Sequence, residues 1–351
     1  MKEHELDFDA FPPTGLPAWE RASKEELQGA DPWKKLTKQV HGIEIKPFYS
    51  EGPSVTESFH LQPSKGTFLG PRTWYNCPLV VVSDPARANA LALEHLKQGA
   101  DGIFFELEEG MDFSILLKSI EWSSCSLNFL AKKNTASFAK GLERFLSTTK
   151  GPTHGALFGI PQVLPSANKR SFRFIGLEIP TDQPPIEALA NGIASMNHVL
   201  GDAFRERFTE AAFSVEIGAD FFFEAAKLRA LRDAWQNLLA KRGADAESPL
   251  FIHAWSRAWT NETYSPHGNM LKATTAAMSA ILGGCDALTV DAEDPGNATM
   301  SRAARNVSNV LREESHFSKV SDPLAGSYFV DDLTKDLSEQ VWRMAQLKMK
   351  S

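Results

Sequence analysis

PLFIHAWSRAWTNETYSPHGNMLKATTAAMSAILGGCDALTVD, residues 249–291, has the apolar pattern of a strand, a helix and a second strand. Short apolar runs at Leu250–Ile252 and Ala287–Val290 predict the two strands. Between them, Met270–Leu282 carries side chains at spacings of three and four, which predicts a helix with one face packed inward. The side chains expected on that inward face are Leu271, Thr274, Thr275, Met278, Ile281 and Leu282.

Gly283–Gly284 ends this helix, because glycine readily takes the left-handed conformation that is common at helix C-termini. Two strands joined through such a helix are expected to be parallel, with a right-handed crossover. A similar order occurs earlier, where a helical pattern at Ala86–Lys97 precedes Gly99, Asp101 and an apolar strand at Gly102–Leu107. Two copies of helix, glycine, aspartate and strand predict a barrel or a doubly wound sheet.

The alternation of apolar runs and helical patterns continues from residue 74 onward. The predicted strands are Leu79–Val82, Gly102–Leu107, Leu127–Ala131, Ala156–Ile160, Phe172–Ile179, Ala212–Ile217, Leu250–Ala254 and Asp286–Asp291. The predicted helices are Ala86–Lys97, Phe113–Ile120, Ala136–Leu146, Ile186–Leu200, Asp220–Leu239, Met270–Leu282 and Ser301–Glu314. Only Pro161–Arg170 is too short and proline-bearing to hold a helix. We therefore predict a TIM (β/α)8 barrel over residues 61–351, with a doubly wound open sheet as the alternative.

The clearest single element is the helix predicted at Asp220–Leu239. Burying each of its large apolar side chains contributes roughly 1.5 to 3 kcal/mol, so we expect this helix to anchor the core. The predicted inward residues are Phe221, Ala225, Leu228, Leu231, Trp235, Leu238 and Leu239. The predicted outward residues are Lys227, Arg229, Arg232, Asp233 and Gln236.

Composition narrows the class of protein. A chain of 351 residues with 42% hydrophobic content can bury a large core. The net charge of -7 and the lack of a dense Lys/Arg run argue against a nucleic-acid partner. Since the sequence has neither an apolar signal core nor a run of ~18 apolar residues, we expect a cytoplasmic protein without membrane contact. Cys77, Cys125 and Cys285 are odd in number and far apart, which predicts reduced thiols.

Residues 1–60 differ from the rest in composition, since they combine proline and charge with isolated aromatics. One short helical pattern lies near Ser23–Gln28. A segment like this is unable to build its own core, so its aromatics are expected to pack on something larger. We predict an N-terminal extended arm wrapped over the barrel or over a partner; a partly ordered tail is the alternative.

Several stretches carry the motifs of one protein family. They are Ile217–Arg232 (IGADFFFEAAKLRALR), Leu282–Leu288 (LGGCDAL), Arg305-Asn306, Glu313–Ser315, Asp322–Val330 (DPLAGSYFV) and Gly42–Tyr49 (GIEIKPFY). Together they resemble the methylmalonyl-CoA mutase family over nearly the whole chain, and the C-terminal motifs are the most specific. The resemblance implies a TIM barrel within a cobalamin-dependent isomerase that interconverts methylmalonyl-CoA and succinyl-CoA.

Catalytic members of that family pair the barrel with a domain that binds cobalamin through an Asp-x-His-x-x-Gly motif, which this sequence does not contain. Three barrel motifs of this sequence also differ from those of catalytic family members. Residues 67–74 lack the tyrosine that precedes Arg-Pro-Trp in the family, and residues 172–186 lack its Gly-Tyr-His. His253–Trp259 (HAWSRAW) keeps the histidine and the last tryptophan of His-x-Gln-Thr-Ser-Gly-Trp, but Trp255 replaces the glutamine. The resemblance therefore implies a non-catalytic small subunit that pairs with a catalytic subunit, with adenosylcobalamin in the complex and none on this chain alone.

Four residues at the predicted barrel mouth are candidate substrate contacts. His253 matches the family histidine at the C-terminal end of a strand, where TIM-barrel chemistry sits, or it is a relic held by packing. Ser256, Arg257 and Asn261 follow it and could contact an anion, or they could serve loop solvation and helix capping. We predict no catalytic residue. His267 has no second histidine at metal-ligand spacing, so we predict no metal site.

Two functions are consistent with these patterns. The first is a non-catalytic mutase subunit in a heterodimer, whose arm docks on the catalytic subunit through aromatic side chains. The second is a catalytic acyl-CoA mutase barrel completed by a separate cobalamin-binding chain, and its main support is His253. Neither a Gly-x-Ser-x-Gly elbow nor a phosphate-binding glycine loop is present, which argues against a hydrolase or a nucleotide-binding protein.

Overall fold

The computed structural model describes residues 15–50, 72–108, 111–133, 135–149, 151–159, 172–245, 250–256 and 268–350. The strands are β1 (Lys38–Val40), β2 (Ile43–Ile45), β3 (Tyr75–Asn76), β4 (Leu79–Val82), β5 (Gly102–Leu107), β6 (Ser126–Ala131), β7 (Gly155–Gly159), β8 (Phe172–Ile179), β9 (Ala211–Ile217), β10 (Phe251–Ser256) and β11 (Ala287–Val290). The helices are α1 (Leu16–Glu26), α2 (Pro32–Leu36), α3 (Pro85–Lys97), α4 (Phe113–Leu116), α5 (Thr135–Thr148), α6 (Pro185–Leu200), α7 (Phe204–Arg207), α8 (Phe221–Arg242), α9 (Gly268–Leu282), α10 (Ala298–Glu313) and α11 (Tyr328–Lys348). The predicted loop Pro161–Arg170 lies outside the described residues.

Strands β3 to β11 form one sheet in which every pairing is parallel. β3 and β4 are two halves of a single strand, interrupted at Cys77-Pro78 because proline has no N–H to donate. The first half pairs with β11 and the second with β5. Backbone bonds continue across the interruption, from Cys77 N–H to Leu288 O (2.9 Å) and from Phe104 N–H to Pro78 O (3.0 Å). The sheet therefore closes into a barrel, which confirms the TIM-barrel prediction, and the open-sheet alternative is wrong.

The first copy of the glycine–aspartate cassette forms a turn at the start of β5. The backbone N–H of Asp101 donates to Asn76 O (3.0 Å), while its carboxylate accepts from Asn76 N–H (3.1 Å). The same Oδ2 atom accepts from Nη1 of Arg312 on α10 (2.7 Å). One aspartate thus ties the start of its own strand to the neighbouring strand and to a helix.

The second copy repeats this arrangement at the start of β11. The backbone N–H of Asp286 donates to Ile252 O (2.8 Å), and its Oδ2 accepts from Ile252 N–H (2.8 Å). Nη2 of Arg232 on α8 donates to the same oxygen (2.7 Å). The sequence repeat therefore corresponds to a repeated structural device at the N-terminal end of the barrel strands.

The inward face predicted for α9 is partly wrong, although Ile281 is buried and Met278 packs against the core as predicted. Leu271 is 72% exposed, and Thr275 also faces solvent. The side chains buried on this helix are mostly small ones, namely Ala273, Ala276, Ala277, Ser279, Ala280 and Ile281. Alanines face inward because the helix lies close to its neighbours: a Cβ added at Gly283 would meet the carbonyl oxygen of Ala225 at 2.7 Å. Close packing here selects small side chains over the largest apolar ones.

The outward face predicted for α8 is also partly wrong, since Lys227, Arg229 and Arg232 are buried. Arg232 faces the starts of the barrel strands, where it donates to Leu250 O, Gly284 O and Asp286, and Lys227 donates to Glu216 O near the end of β9. Arg229 instead faces α11, a helix that was not predicted from the sequence and that packs against both α6 and α8. Arg229 is buried beneath it and donates through Nη1 to both carboxylate oxygens of Asp322 (2.8 and 2.9 Å). A charged residue tolerates this burial because its partner is buried with it.

The other predicted helices begin and end within three residues of the observed bounds, with one exception. The helix predicted at Phe113–Ile120 is the four-residue α4. The chain turns after it, and Ser119 has a φ of 62°, in the left-handed region that ends a helix.

The described part of the arm begins with a small aromatic cluster. Trp19 on α1 packs on Trp33 of α2 and on Phe48, with ring centroids 5.1 and 5.0 Å apart. Nε1 of Trp33 donates to Oε1 of Glu20 (2.8 Å). No residue of α1 is fully buried. The helix predicted near Ser23–Gln28 overlaps the last residues of α1, which ends at Glu26. The three aromatic rings pack on one another, a cluster that was not predicted from the sequence.

The next part of the arm is the antiparallel hairpin of β1 and β2, which is bound to the barrel. Ile43 is 2% exposed and belongs to the main core cluster. The ring of His41 lies 4.4 Å from that of Phe223 on α8, and Tyr49 lies 5.2 Å from Phe329 on α11. We call residues 38–49 the strap, because they fasten the arm to the barrel.

Candidate functional site

Alternation along β10 places His253 on the barrel axis. Phe251 and Trp255 belong to the core cluster inside the barrel, whereas Ile252 and Ala254 belong to the cluster between the strands and the helices. His253 shares the inward face of Phe251 and Trp255, because side chains two apart on a strand point the same way. It is 0% exposed.

Both ring nitrogens of His253 are hydrogen-bonded to hydroxyl groups. Nδ1 lies 2.8 Å from Oγ of Ser214 on β9, and Nε2 lies 2.8 Å from Oγ1 of Thr289 on β11. The Thr289 hydroxyl donates its one hydrogen to Cys77 O (2.6 Å). It must therefore accept from Nε2–H, which leaves Nδ1 to accept from Ser214. His253 is thus a neutral Nε2–H tautomer, and burial lowers its pKa to about 3.

Aromatic rings fill the axis around His253. Phe104 stacks on the imidazole with a centroid distance of 4.2 Å, and Phe158 lies 5.7 Å away. Trp255 meets Phe104 edge-on at 5.0 Å, and its Nε1 donates to Oδ1 of Asp291 at the strand end (2.7 Å). These rings are at most 2% exposed. The layer around His253 is therefore closed to solvent.

The two predicted site residues that the structure describes, His253 and Ser256, lie on opposite faces of β10. Ser256 is buried, and its hydroxyl donates to Ala273 O of α9 (3.0 Å), so it anchors a helix on the outer side of the strand. Arg257 and Asn261 lie outside the described residues. Of the two candidates that the structure describes, His253 faces the axis and Ser256 does not.

The two residues that hydrogen-bond to His253 were not predicted from the sequence. Ser214 and Thr289 occupy inward positions of the strands on either side of β10, paired in register with residues 253 and 255. The alternation of inward and outward side chains along β9 and β11 could have placed both hydroxyls inside the barrel. A polar residue at an inward position of each neighbouring strand indicates a bonded histidine more than a ligand site.

The three cysteines are free thiols, as predicted. Burial raises the pKa of Cys125 and of Cys285 to about 12. Such thiols stay protonated and are poor nucleophiles. In the described part of the chain, no group of three or more His, Cys, Asp or Glu side chains is placed to hold a metal ion. None of the described helices is both long and apolar enough to cross a membrane.

The sequence model of the family described as Methylmalonyl-CoA mutase matches residues 188–348. The methylmalonyl-CoA mutase small subunit of Porphyromonas gingivalis is 27% identical to this chain, over 98% of the chain and 64% of its own length. These matches make the chain similar to the methylmalonyl-CoA mutase family, most clearly over residues 188–348. The small subunit of Streptomyces virginiae is 35% identical over 44% of the chain and 26% of its own length. The chain thus spans less than two thirds of these mutase subunits.

Among solved structures, a dihydropteroate synthase from Burkholderia cenocepacia is similar over 68% of this chain and 92% of its own, with a TM-score of 0.39 and 13% identity. A likeness at this level adds nothing to the topology given by the strand pairing.

The mutase-family motifs lie in the scaffold of the chain. Arg229 in the motif that opens α8 pairs with Asp322 in the motif that precedes α11. Nη1 of Arg305 lies 3.1 Å from Nδ1 of His95, which joins α10 to α3. The pKa of His95 is lowered to about 4 by burial and by the Arg305 charge. The resemblance thus rests on residues that hold helices together.

Proposed function

We propose that this chain is the non-catalytic small subunit of a methylmalonyl-CoA mutase-type isomerase, in a cytoplasmic heterodimer with a catalytic subunit. One observation carries the proposal. The barrel axis is filled by aromatic rings around a histidine whose two nitrogens are already bonded to Ser214 and Thr289.

A carbon-skeleton rearrangement of an acyl-CoA needs an enclosed pocket with donors for the thioester carbonyl and room for the reacting carbons. Trp255 stands where the family pattern has a hydrogen-bonding glutamine, and its ring takes part in filling the axis. The family's tyrosine position falls within residues 67–71, outside the described residues. The described loop 180–184 contains neither histidine nor tyrosine. These losses remove donors and space together.

His253 is not suited to ligate the cobalt of adenosylcobalamin. A histidine that ligates cobalt must present an unbonded ring nitrogen. In His253, Nε2 carries the hydrogen given to Thr289 and Nδ1 accepts from Ser214, inside a layer closed to solvent. We therefore assign the cofactor of the complex to the partner subunit.

The alternative, a catalytic barrel completed by a separate cobalamin-binding chain, requires His253 to contact substrate. Its ring would have to break two hydrogen bonds and leave its stack with Phe104. The bonded and stacked position of His253 counts against the alternative. The two functions predict different activities for a variant that lacks this histidine.

Replacing His253 separates the two functions. With the catalytic subunit present, His253→Gln should leave turnover of methylmalonyl-CoA within about twofold of the wild type, because the axis takes no part in chemistry. If His253 were an acid, a base or an electrophile, the loss would be about 100-fold or more. The measurement is kcat of the reconstituted complex, with circular dichroism as the folding control. Turnover by the wild-type chain alone would also refute the proposal.

The two parts of the arm suggest different roles in assembly. The strap is bound to the barrel through Ile43 and Tyr49. The cluster of Trp19, Trp33 and Phe48 is only half-buried, and helices as short as α1 and α2 are marginal alone. We place the docking contact with the catalytic subunit on this cluster, since aromatic anchors dominate interface energies.

Deleting residues 1–36 should abolish co-purification with the catalytic subunit and leave thermal unfolding of the barrel unchanged. Ile43→Ser in the strap is the matched control. It should lower thermal stability, because it opens the core, and should retain the partner. Unchanged affinity after the deletion would move the partner surface to the barrel helices.

A further inference from the structure

Four aromatic rings form a continuous row on the outside of the barrel, where the strap meets the starts of α8 and α11. The ring of Tyr49 lies 5.2 Å from that of Phe329, which lies 5.4 Å from that of Phe222, and Phe222 lies 5.2 Å from Phe221. We call these four side chains the aromatic row. We propose that the aromatic row is a docking surface for a short, apolar, arginine-bearing segment of another protein.

The start of α8 shows why these rings lie at the surface. An α-helix turns by about 100° per residue, so the successive residues Phe221, Phe222 and Phe223 cannot all face the core. Phe223 faces the core and is 1% exposed, whereas Phe222 is 45% exposed and Phe221 is half-buried. Phe329 and Tyr49 are half-buried as well. The chain thus holds several large apolar side chains together at its surface.

The aromatic row has the composition and size of a docking surface. A single exposed phenylalanine is ordinary, but contiguous exposed apolar side chains mark interaction sites, where aromatic rings contribute much of the binding energy. The row spans at most about 16 Å between Tyr49 and Phe221. Since an extended chain rises about 3.3 Å per residue, about five residues of a partner segment would cover it.

Carboxylates border the aromatic row beside Tyr49. Burial raises the pKa of the Tyr49 hydroxyl, and the charges of Asp332, Asp336 and Glu44 raise it further. Burial also raises the pKa of Asp336, and the charges of Asp332 and Glu339 add to that increase. Four carboxylates therefore act on one another and on the ring at this edge of the row.

The cations at this edge are fewer. Those that act on Asp336 are Lys46 and Lys335. Nζ of Lys46 lies 4.0 Å from Oδ2 of Asp332, and because the lysine side chain is 50% exposed this pair is weak. Two lysines against four carboxylates leave the edge negative. A second copy of the chain is thereby disfavoured as the occupant, since a twofold contact would bring the same carboxylates face to face.

An arginine of a partner segment matches both features of the surface. Its guanidinium stacks on an aromatic face and pairs with a carboxylate through two hydrogen bonds, whereas a lysine ammonium is a strongly hydrated point charge. The aromatic row lies on the strap, α8 and α11. The catalytic subunit is assigned above to the cluster of Trp19, Trp33 and Phe48, so this inference does not rest on the mutase proposal.

Peptide probes test the chemistry of the surface. We would titrate the full-length chain by calorimetry with the acetylated, amidated peptide Leu-Arg-Leu-Arg-Leu at low and at physiological ionic strength. We expect saturable binding that weakens at least about threefold at the higher ionic strength, because the carboxylates are close to solvent. Leu-Lys-Leu-Lys-Leu should bind at least about threefold more weakly, and Leu-Glu-Leu-Glu-Leu should not bind.

Variants locate the binding. Phe222→Ser should weaken binding of the arginine peptide at least about tenfold, as expected for an interface anchor. Leu347→Ser is the matched control and should change nothing, because Leu347 is 64% exposed but lies about 27 Å along α11 from Phe329. Asp336→Asn should weaken binding about two- to fivefold, and Asp202→Asn, an exposed aspartate after α6, should not. The two aspartate variants decide the question even if Phe222→Ser fails to fold.

Several results would overturn the proposal. They are the absence of saturable binding of the arginine peptide, equal binding of the lysine or glutamate peptide, and equal effects of Phe222→Ser and Leu347→Ser or of Asp336→Asn and Asp202→Asn. In sedimentation of the chain alone, a dimer that Phe222→Ser dissociates would assign the aromatic row to a second copy. None of these measurements involves turnover or the catalytic subunit, so their failure would leave the mutase proposal standing.

Discussion

Helices α6 and α8 of the C-terminal half of the barrel are covered by α11, whereas α3, α4 and α5 of the N-terminal half have no such outer helix among the described residues. The outer helix turns the side of α8 that carries Arg229 into an interior, where Arg229 is 1% exposed and pairs with Asp322. The family match at residues 188–348 falls in this doubly layered half. A buried charge tolerates few replacements, so double layering explains why this half carries the most recognisable motifs.

Breaking the ion pair under the outer helix should give the largest effect. Arg229→Met leaves Asp322 buried without its partner, and the expected loss of unfolding free energy is about 3 to 5 kcal/mol. Lys132→Met is the matched change in the N-terminal half. Lys132 pairs with Glu106, but its side chain is 53% exposed, so the expected loss is at most about 1 kcal/mol. Urea unfolding measures both.

The double variant Arg229→Met with Asp322→Asn should recover much of that loss, since neither charge then remains buried alone. If Arg229→Met cost no more than Lys132→Met, the outer helix would not create an interior, and the contrast between the halves would fail.

The repeated aspartates offer a test in which the two halves should agree. Asp101→Asn and Asp286→Asn each remove a charged acceptor from a buried arginine, Arg312 or Arg232. We expect each variant to lose about 1.5 to 3 kcal/mol of unfolding free energy in urea. The exposed control Asp202→Asn should stay within about 0.5 kcal/mol. A large difference between the first two would show that the device depends on its half of the barrel.

The axis joins the halves, since Phe104 of β5 stacks on His253 of β10. Burial lowers the pKa of His253 from 6.5 to about 3, so the folded state favours the neutral ring. The stability due to this group is complete above pH 6.5 and is lost as the pH falls towards 3. Between pH 7 and pH 5 this loss is about 2 kcal/mol.

His253→Gln should remove that part of the pH dependence. The measurement is urea unfolding of wild type and variant at both pH values, and only the difference between the two slopes is assigned to His253. If the unfolding free energies of wild type and variant had the same pH dependence, the His253 ring would take up protons in the folded state. The barrel axis would then again be a candidate site.

The sequence predicted the barrel strands well because each strand is a short apolar run bounded by glycine, proline or aspartate. It did not predict α11, although Val330, Leu333, Leu337 and Val341 recur there at spacings of three and four. The inward face of α9 was predicted partly wrongly because alanine has little hydrophobicity, and yet it packs closest where two backbones approach.

The candidate site was less predictable for a physical reason. His253 is in the sequence pattern, but what it does is decided by Ser214 and Thr289, which lie 39 and 36 residues away along the chain. Only the register between strands brings these hydroxyls to the ring. No spacing within a single strand could show that the histidine is already satisfied.

The interrupted strand at Cys77-Pro78 has a consequence for how the chain is made. The backbone bond from Cys77 N–H to Leu288 O, which closes the barrel, joins residues 211 positions apart. A nascent chain emerging from the ribosome therefore holds β3 without its neighbour until β11 has been synthesised. During that interval an open parallel sheet exposes unpaired edges, which are prone to pair with other chains. Contacts between residues so far apart in the chain form slowly. Until they form, chaperones are expected to protect the unpaired strand edges from aggregation.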